Sequence, residues 1–405
     1  MFSRHPLYCC FYLLWYTAPM RFLFASLICL LLIPACERSF VNHETEAADI
    51  VESKNTEPDP LRIRALEIAS SLNDSLLTSQ LLISGIDGKE SLQPLIKIIF
   101  ENHPPGGVML FRYNLSTGKE SIHNHLSQVF SLISEKSNIP PFIAVDHEGG
   151  TVYRFQDGVA ALPAASYYRE IFLSQGMEKA LEKIADDVFK SGREIKELGI
   201  NMIFAPVAEY LTDDNRAFLE SRSYGPDPSF TAEAASAFIR AMEQAGVLCV
   251  VKHFPGIAGS DPHYSASVIS GDKSELDSLI FPFAYVFNKG AGAVMVAHSF
   301  VPAIDNKIAS LSPVVMGNWL RDELRFDGII ISDDFTMEAA GSFSPEESAI
   351  LSVAAGADMV LVWPSDLKRT HEAFISALED GRLSRERIID SASRIIYEKL
   401  KLGLM

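Results

Sequence analysis

The chain has 405 residues, 48% of them apolar and 21% charged, which suits a protein with a sizeable buried core and argues against disorder. Its formal charge of −17 argues against nucleic acid as a partner. Cys9, Cys10, Cys29 and Cys36 crowd the first 36 residues. Only Cys249 remains in the body, inside an apolar run, so no disulfide framework is available there and it reads as a small buried hydrophobe.

From Met20-Arg21-Phe22 to Ala35-Cys36 the chain has a positive start, an apolar run and a small-residue end. That is the pattern of a signal peptide, short for a membrane span, and Met20 offers a second start. The alternative is an uncleaved anchor. Ile33-Pro34-Ala35-Cys36 resembles a bacterial lipoprotein box, which implies lipidation of Cys36 and an exported protein tied to the membrane by its lipid. Residues 37–60 are polar, with few large apolar groups, and read as a flexible tether. The expected organisation is a leader over 1–36, a tether over 37–60 and a folded body over 61–405.

In the body, apolar runs recur at 80–86, 107–111, 142–145, 202–205, 247–251, 293–297, 328–331 and 359–362. Short continuous apolar runs read as strands buried on both faces. Helical patterns separate them, among them 178–198, 230–245, 273–288 and 313–324, with 384–402 after the last. This alternation predicts an α/β fold, a single (β/α)8 TIM-type barrel. The first strand is ambiguous, because 78–86 could equally extend a helix.

Polar residues fall where such a barrel does chemistry, at the C-terminal ends of its strands. Asp146 follows the third run, Lys252 the fifth, His298 the sixth, Asp333 the seventh and Trp363 the eighth. After the third run comes Asp146-His147-Glu148-Gly149-Gly150-Thr151-Val152-Tyr153-Arg154; taken locally, Asp146 caps and the glycines turn. After the fifth comes Lys252-His253-Phe254-Pro255-Gly256, then Asp261-Pro262-His263; charges ending a buried strand are costly unless they pair or bind. The loop after the fourth run carries Arg222-Ser223-Tyr224-Gly225. Ser332-Asp333-Asp334-Phe335-Thr336-Met337 ends the seventh; strand alternation predicts one aspartate facing the pocket, and Asp334 alone suits a helix N-cap. His298 reads equally as a core histidine or a ligand contact.

These segments, in this order over roughly 70–400, resemble glycoside hydrolase family 3, its β-N-acetylhexosaminidase branch. The departures are Tyr224 for Phe, Phe335 for Leu, and a shortened loop with Ile257, Ala258 and Pro262 where His, Gly and Ser are usual. The resemblance implies a retaining enzyme acting on terminal β-linked N-acetylglucosamine, such as that of peptidoglycan fragments. Asp333 would be its nucleophile, and His263, held by Asp261, its acid and then base. Asp146, Arg154, Arg222, Lys252 and His253 would hold the sugar. Imidazole titrates near neutrality and can both give and take a proton, and a neighbouring carboxylate steadies its charged form. The alternatives are a family 3 β-glucosidase, a relative that transfers to phosphate, cleavage assisted by the substrate's acetamido group, and a lipoprotein that binds cell-wall sugar without cleaving it. Many β-glucosidases of the family take their acid from a second domain, and ending at Met405 favours the histidine-loop type. No cofactor or metal is expected: no His/Cys ligand spacing, phosphate loop or dinucleotide fingerprint is present.

Overall fold

Eight parallel strands, one at each apolar run, ring the centre of the body. They are β1 (Leu82–Gly85), β2 (Gly107–Leu110), β3 (Phe142–Val145), β4 (Met202–Ile203), β5 (Leu248–Phe254), β6 (Ala293–Val296), β7 (Ile329–Ser332) and β8 (Val360–Val362). The computed structural model describes residues 59–156, 158–259, 261, 265–337 and 343–405. The expected leader, Cys36 and nearly all of the tether lie outside these.

Each strand pairs with its sequence neighbour, and β1 also pairs with β8. A parallel bridge from Ile331 to Met359 joins β7 to β8, so the sheet closes into the expected barrel. The strands are short and almost wholly buried, because helices cover their outer face.

The structure resolves the ambiguity at the first run: Asp74–Ser79 is helical and the strand begins at Leu82. The helix expected over 273–288 is two, Lys273–Leu279 and Phe281–Asn288, because Pro282 has no N–H to continue the first. The segment expected as a helix over 313–324 is a π-helix, Val314–Glu323. Pro60–Ser71 packs along the final helix, Arg385–Lys401, and the Tyr397 hydroxyl donates to Asp59 over 2.9 Å. Cys249 is fully buried in β5, as expected of a small hydrophobe.

Candidate active site

Beyond β3 the chain forms a small antiparallel hairpin, His147–Gly149 with Val152–Tyr153. Alternation places Asp146 and Glu148 on the pocket side and His147 in the core. His147 packs against Tyr153 and Phe155 with Nε2 2.9 Å from Ser191 Oγ, and burial lowers its pKa to about 3. The turn needs its glycine. Gly149 has φ +95°, and a Cβ there would stand 2.2 Å from the Pro163 carbonyl oxygen. A larger residue would lift the hairpin that carries Glu148 and Arg154.

Lys252, inside β5, completes the cluster. Its Nζ lies 2.9 Å from Asp146 Oδ1 and 2.7 Å from Glu148 Oε1. Arg154 Nη2 donates to Asp146 Oδ2 over 2.9 Å. Arg222, at the end of the 3-10 turn Glu220–Arg222, forks onto Glu148 through Nε and Nη2 at 2.8 and 2.9 Å. Every carboxylate oxygen of this pair thus accepts from a cation. Burial would raise the pKa of both carboxyl groups. The charges of Lys252 and Arg154 outweigh it and hold Asp146 far below the usual range, and those of Lys252 and Arg222 bring Glu148 down to about 2. Burial likewise works against the Lys252 ammonium, but Asp146 and Glu148 raise its pKa.

His253 follows with Nδ1 2.7 Å from Glu209 Oε1. A carboxylate only accepts, so Nδ1 carries the proton and Nε2 is left for another partner. The same Glu209 oxygen accepts the His253 backbone N–H at 3.2 Å, and its other oxygen accepts Ile257 N–H at 2.7 Å. Ala258 N–H donates to Ser267 Oγ at 2.9 Å and Gly259 N–H to the Asp214 carbonyl at 2.8 Å. The first turn of the loop after β5 is therefore pinned residue by residue. Asp261, further along, lines the pocket. His263 lies outside the described residues.

Opposite, Asp333 Oδ1 accepts the Asp334 N–H at 2.8 Å. Both aspartates line the pocket, against the expectation of one. β7 stops at Ser332, so the two-residue alternation no longer governs them. Asp334 is occupied locally, its Oδ1 accepting Thr336 N–H and Oγ1–H at 2.9 Å each. His298 is a core histidine: Nε2–H donates to the Asp334 carbonyl at 3.0 Å and Nδ1 lies 2.6 Å from Ser310 Oγ. Burial lowers its pKa, and its two hydrogen bonds brace the turn that carries the two aspartates.

Asp146, Arg154, Arg222, Lys252, His253, Asp261 and Asp333 all line one pocket of about 520 Å³, floored by Ile83, Met109, Phe204, Met295 and Leu361. That volume suits a small polar ligand. Fixed charges on one wall and a carboxylate on another can grip hydroxyls and attack an electrophilic carbon between them. The profile of the glycosyl hydrolase family 3 N-terminal domain matches residues 80–397. The chain belongs to glycosyl hydrolase family 3. A β-hexosaminidase of Idiomarina loihiensis is 32% identical over 306 residues, covering 73% of this chain and 88% of that protein. One of Neisseria gonorrhoeae is 36% identical over 267 residues, covering 64% and 71%. Among solved structures, a family 3 β-N-acetylglucosaminidase from a Paenibacillus species superposes with a TM-score of 0.77 at 29% identity. The match covers 82% of this chain and 63% of that one. NagZ from Neisseria gonorrhoeae, in complex with N-trifluoroacetyl-D-glucosamine, gives a TM-score of 0.66 at 28% identity, covering 78% and 89%. The family 3 member described here is a glycoside hydrolase, a β-N-acetylhexosaminidase.

Two residues of this family 3 site escape the sequence reading. Glu148 lies inside a recognised motif, but nothing local shows that it occupies the fork of Arg222. Glu209 is a single acid in Pro206-Val207-Ala208-Glu209-Tyr210, without a pattern to mark it. An acid four residues beyond an apolar run at a barrel rim is the one signal available.

Proposed function

We propose that the protein is a retaining exo-β-N-acetylglucosaminidase that removes terminal β-linked N-acetylglucosamine, such as that of peptidoglycan fragments. The observation that carries this reading is that Asp333 and Asp261 share one cavity with the charged cluster. Asp146, Arg154, Lys252 and His253 hold the sugar hydroxyls, with Arg222 fixing Glu148 beside them. An Asp333 oxygen attacks the anomeric carbon as the bond to the leaving oxygen breaks. His263, charged and steadied by Asp261, gives that oxygen its proton. Water then attacks the glycosyl ester, His263 takes its proton, and Asp333 leaves as carboxylate, with net retention.

Incubation with an activated 5-fluoro N-acetylglucosaminide should add one glycosyl mass, mapped to Asp333. Asp333→Ala should lower turnover of an aryl N-acetylglucosaminide by at least about 10³-fold. Near-wild-type turnover in that variant would refute the nucleophile. The leader and Cys36 extend the proposal to an exported lipoprotein; labelled fatty acid that enters the wild-type chain and the Cys36→Ser variant alike, or neither, would end that part.

A further inference from the structure

The wall of the pocket that carries no charge is aromatic, and it is built with some care. Phe111 follows β2 and Trp363 follows β8, the two strands that flank β1. They meet across it because Gly85, at the end of β1, has no side chain: a Cβ there would lie 3.1 Å from Phe111 and 3.2 Å from Pro364. Their rings stack nearly parallel, 3° apart, with centroids 5.2 Å apart. Tyr113 stacks on Phe111 in turn, at 6° and 6.1 Å. The indole N–H of Trp363 is taken up by Thr336 Oγ1 at 3.2 Å, and that hydroxyl donates to Asp334. The polar edge of the indole is thus fixed, and what it offers the pocket is carbon surface.

Depth separates this wall from the charged one. The side chains of Lys252 and Glu148 are 4% and 5% exposed, whereas Trp363 is 39% exposed. A sugar ring whose hydroxyls reach Asp146 and Lys252 sits deep. The group bonded to its anomeric oxygen must leave past the rim, where Trp363 stands. A second β-linked gluco-configured ring has its substituents equatorial and its C–H bonds axial, so its faces are apolar and suit a flat indole.

We infer that Trp363, backed by Phe111, is the platform that binds the leaving-group sugar and sets the preference for a saccharide in that position. This rests on the proposed cleavage of terminal N-acetylglucosamine. The test is calorimetry with N-acetylglucosamine, which fills the deep position alone, and with sulfur-linked N,N′-diacetylchitobiose, which spans both and resists hydrolysis. The wild-type enzyme should bind the disaccharide more tightly. Trp363→Ala should lose about tenfold for the disaccharide while binding the monosaccharide within about twofold, which also shows that it is folded. Trp363→Phe, which keeps a ring, should recover part of the loss. A disaccharide that binds wild type no better than the monosaccharide, or a variant that weakens on both sugars equally, overturns the platform and leaves the deep site standing. Wild-type protein that binds neither sugar ends the N-acetylglucosaminidase reading and the platform with it.

Discussion

Each end of the barrel buries a lysine, and the two are held in opposite ways. At the C-terminal rim Lys252 lies between Asp146 and Glu148, and their charges raise its pKa despite burial. At the other end Lys399, from the helix Arg385–Lys401, reaches under the first three strands. Its Nζ donates to Gln80 Oε1 at 2.8 Å and to the Gly106 carbonyl at 2.9 Å, and lies 5.0 Å from the centre of the Phe142 ring. All three partners are neutral, and burial lowers its pKa to about 7. Burial alone therefore says nothing about function. What marks the rim is a cation shared between carboxylates that open onto a cavity. What marks the base is an amine plugged among neutral partners and capped by a helix.

The base also has its own ion cluster, which sharpens the contrast. Asp358, just before β8, accepts Ile330 N–H at 2.8 Å and pairs with Arg321, Arg387 and Arg394. Burial would raise its pKa, and the three guanidinium groups keep it lowered. These groups tie helices to strands and line no part of the site.

The largest effect should come from breaking the rim. Lys252→Met leaves Asp146 and Glu148 without their shared cation, and should lower kcat/KM for an aryl N-acetylglucosaminide by about 10²- to 10³-fold. It should also lower stability at neutral pH and flatten its dependence on acid. The depressed pKa values of these two groups contribute stability above the ordinary carboxylate range, and that contribution is lost as pH falls toward about 2 for Glu148. Without Lys252 both pKa values rise toward those of the unfolded chain, so less of this stability is there to lose and the acid limb becomes shallower. A variant with unchanged kcat/KM and an unchanged acid limb in thermal melts would erase the distinction between the two ends. Next in size is Asp358→Ala, which takes the fully buried shared carboxylate away from three partly buried guanidinium groups and from the Ile330 N–H. Urea unfolding should show a loss of about 3–5 kcal/mol, while kcat/KM per folded molecule stays unchanged.

How much of this was legible beforehand follows the same divide. The barrel was readable because its strands are local apolar runs, and the rim because its residues stand directly after those runs, inside short motifs. Asp146, Lys252 and Asp333 could be placed for that reason. What stayed hidden depends on distant partners. Lys399 sits in Glu398-Lys399-Leu400-Lys401, which reads as a solvated helix end, and its partner Gln80 is 319 residues away. Asp358 looks like a polar residue in a turn until the arginines of two other helical segments close on it. Arg222 lines the pocket where it was expected, but its hold on Glu148, 74 residues away, could not be read from the chain. The stagger of Asp333 and Asp334 failed because the strand rule was carried two residues past the strand.

The smallest effect is the most selective. An ordinary lysine loses its proton near 10.5, and Lys399 does so at about 7. Between those values the unfolded chain holds a proton that the folded one has released, so stability rises with pH across the window, by at most about 1.4 kcal/mol per pH unit. Below about pH 6 both states are protonated and the dependence vanishes. Lys399→Met removes the titration while keeping an unbranched apolar side chain; Gly106 still has the Phe142 N–H at 3.0 Å, and only the Gln80 carbonyl loses its donor. From pH 7 to pH 9 wild type should therefore gain about 2 kcal/mol on the variant, read as diverging urea midpoints, with kcat/KM equal in the two proteins at each pH. Parallel midpoints would mean that the ammonium is stabilised at the base much as Lys252 is at the rim, and the two ends would then differ only in which of them opens to substrate.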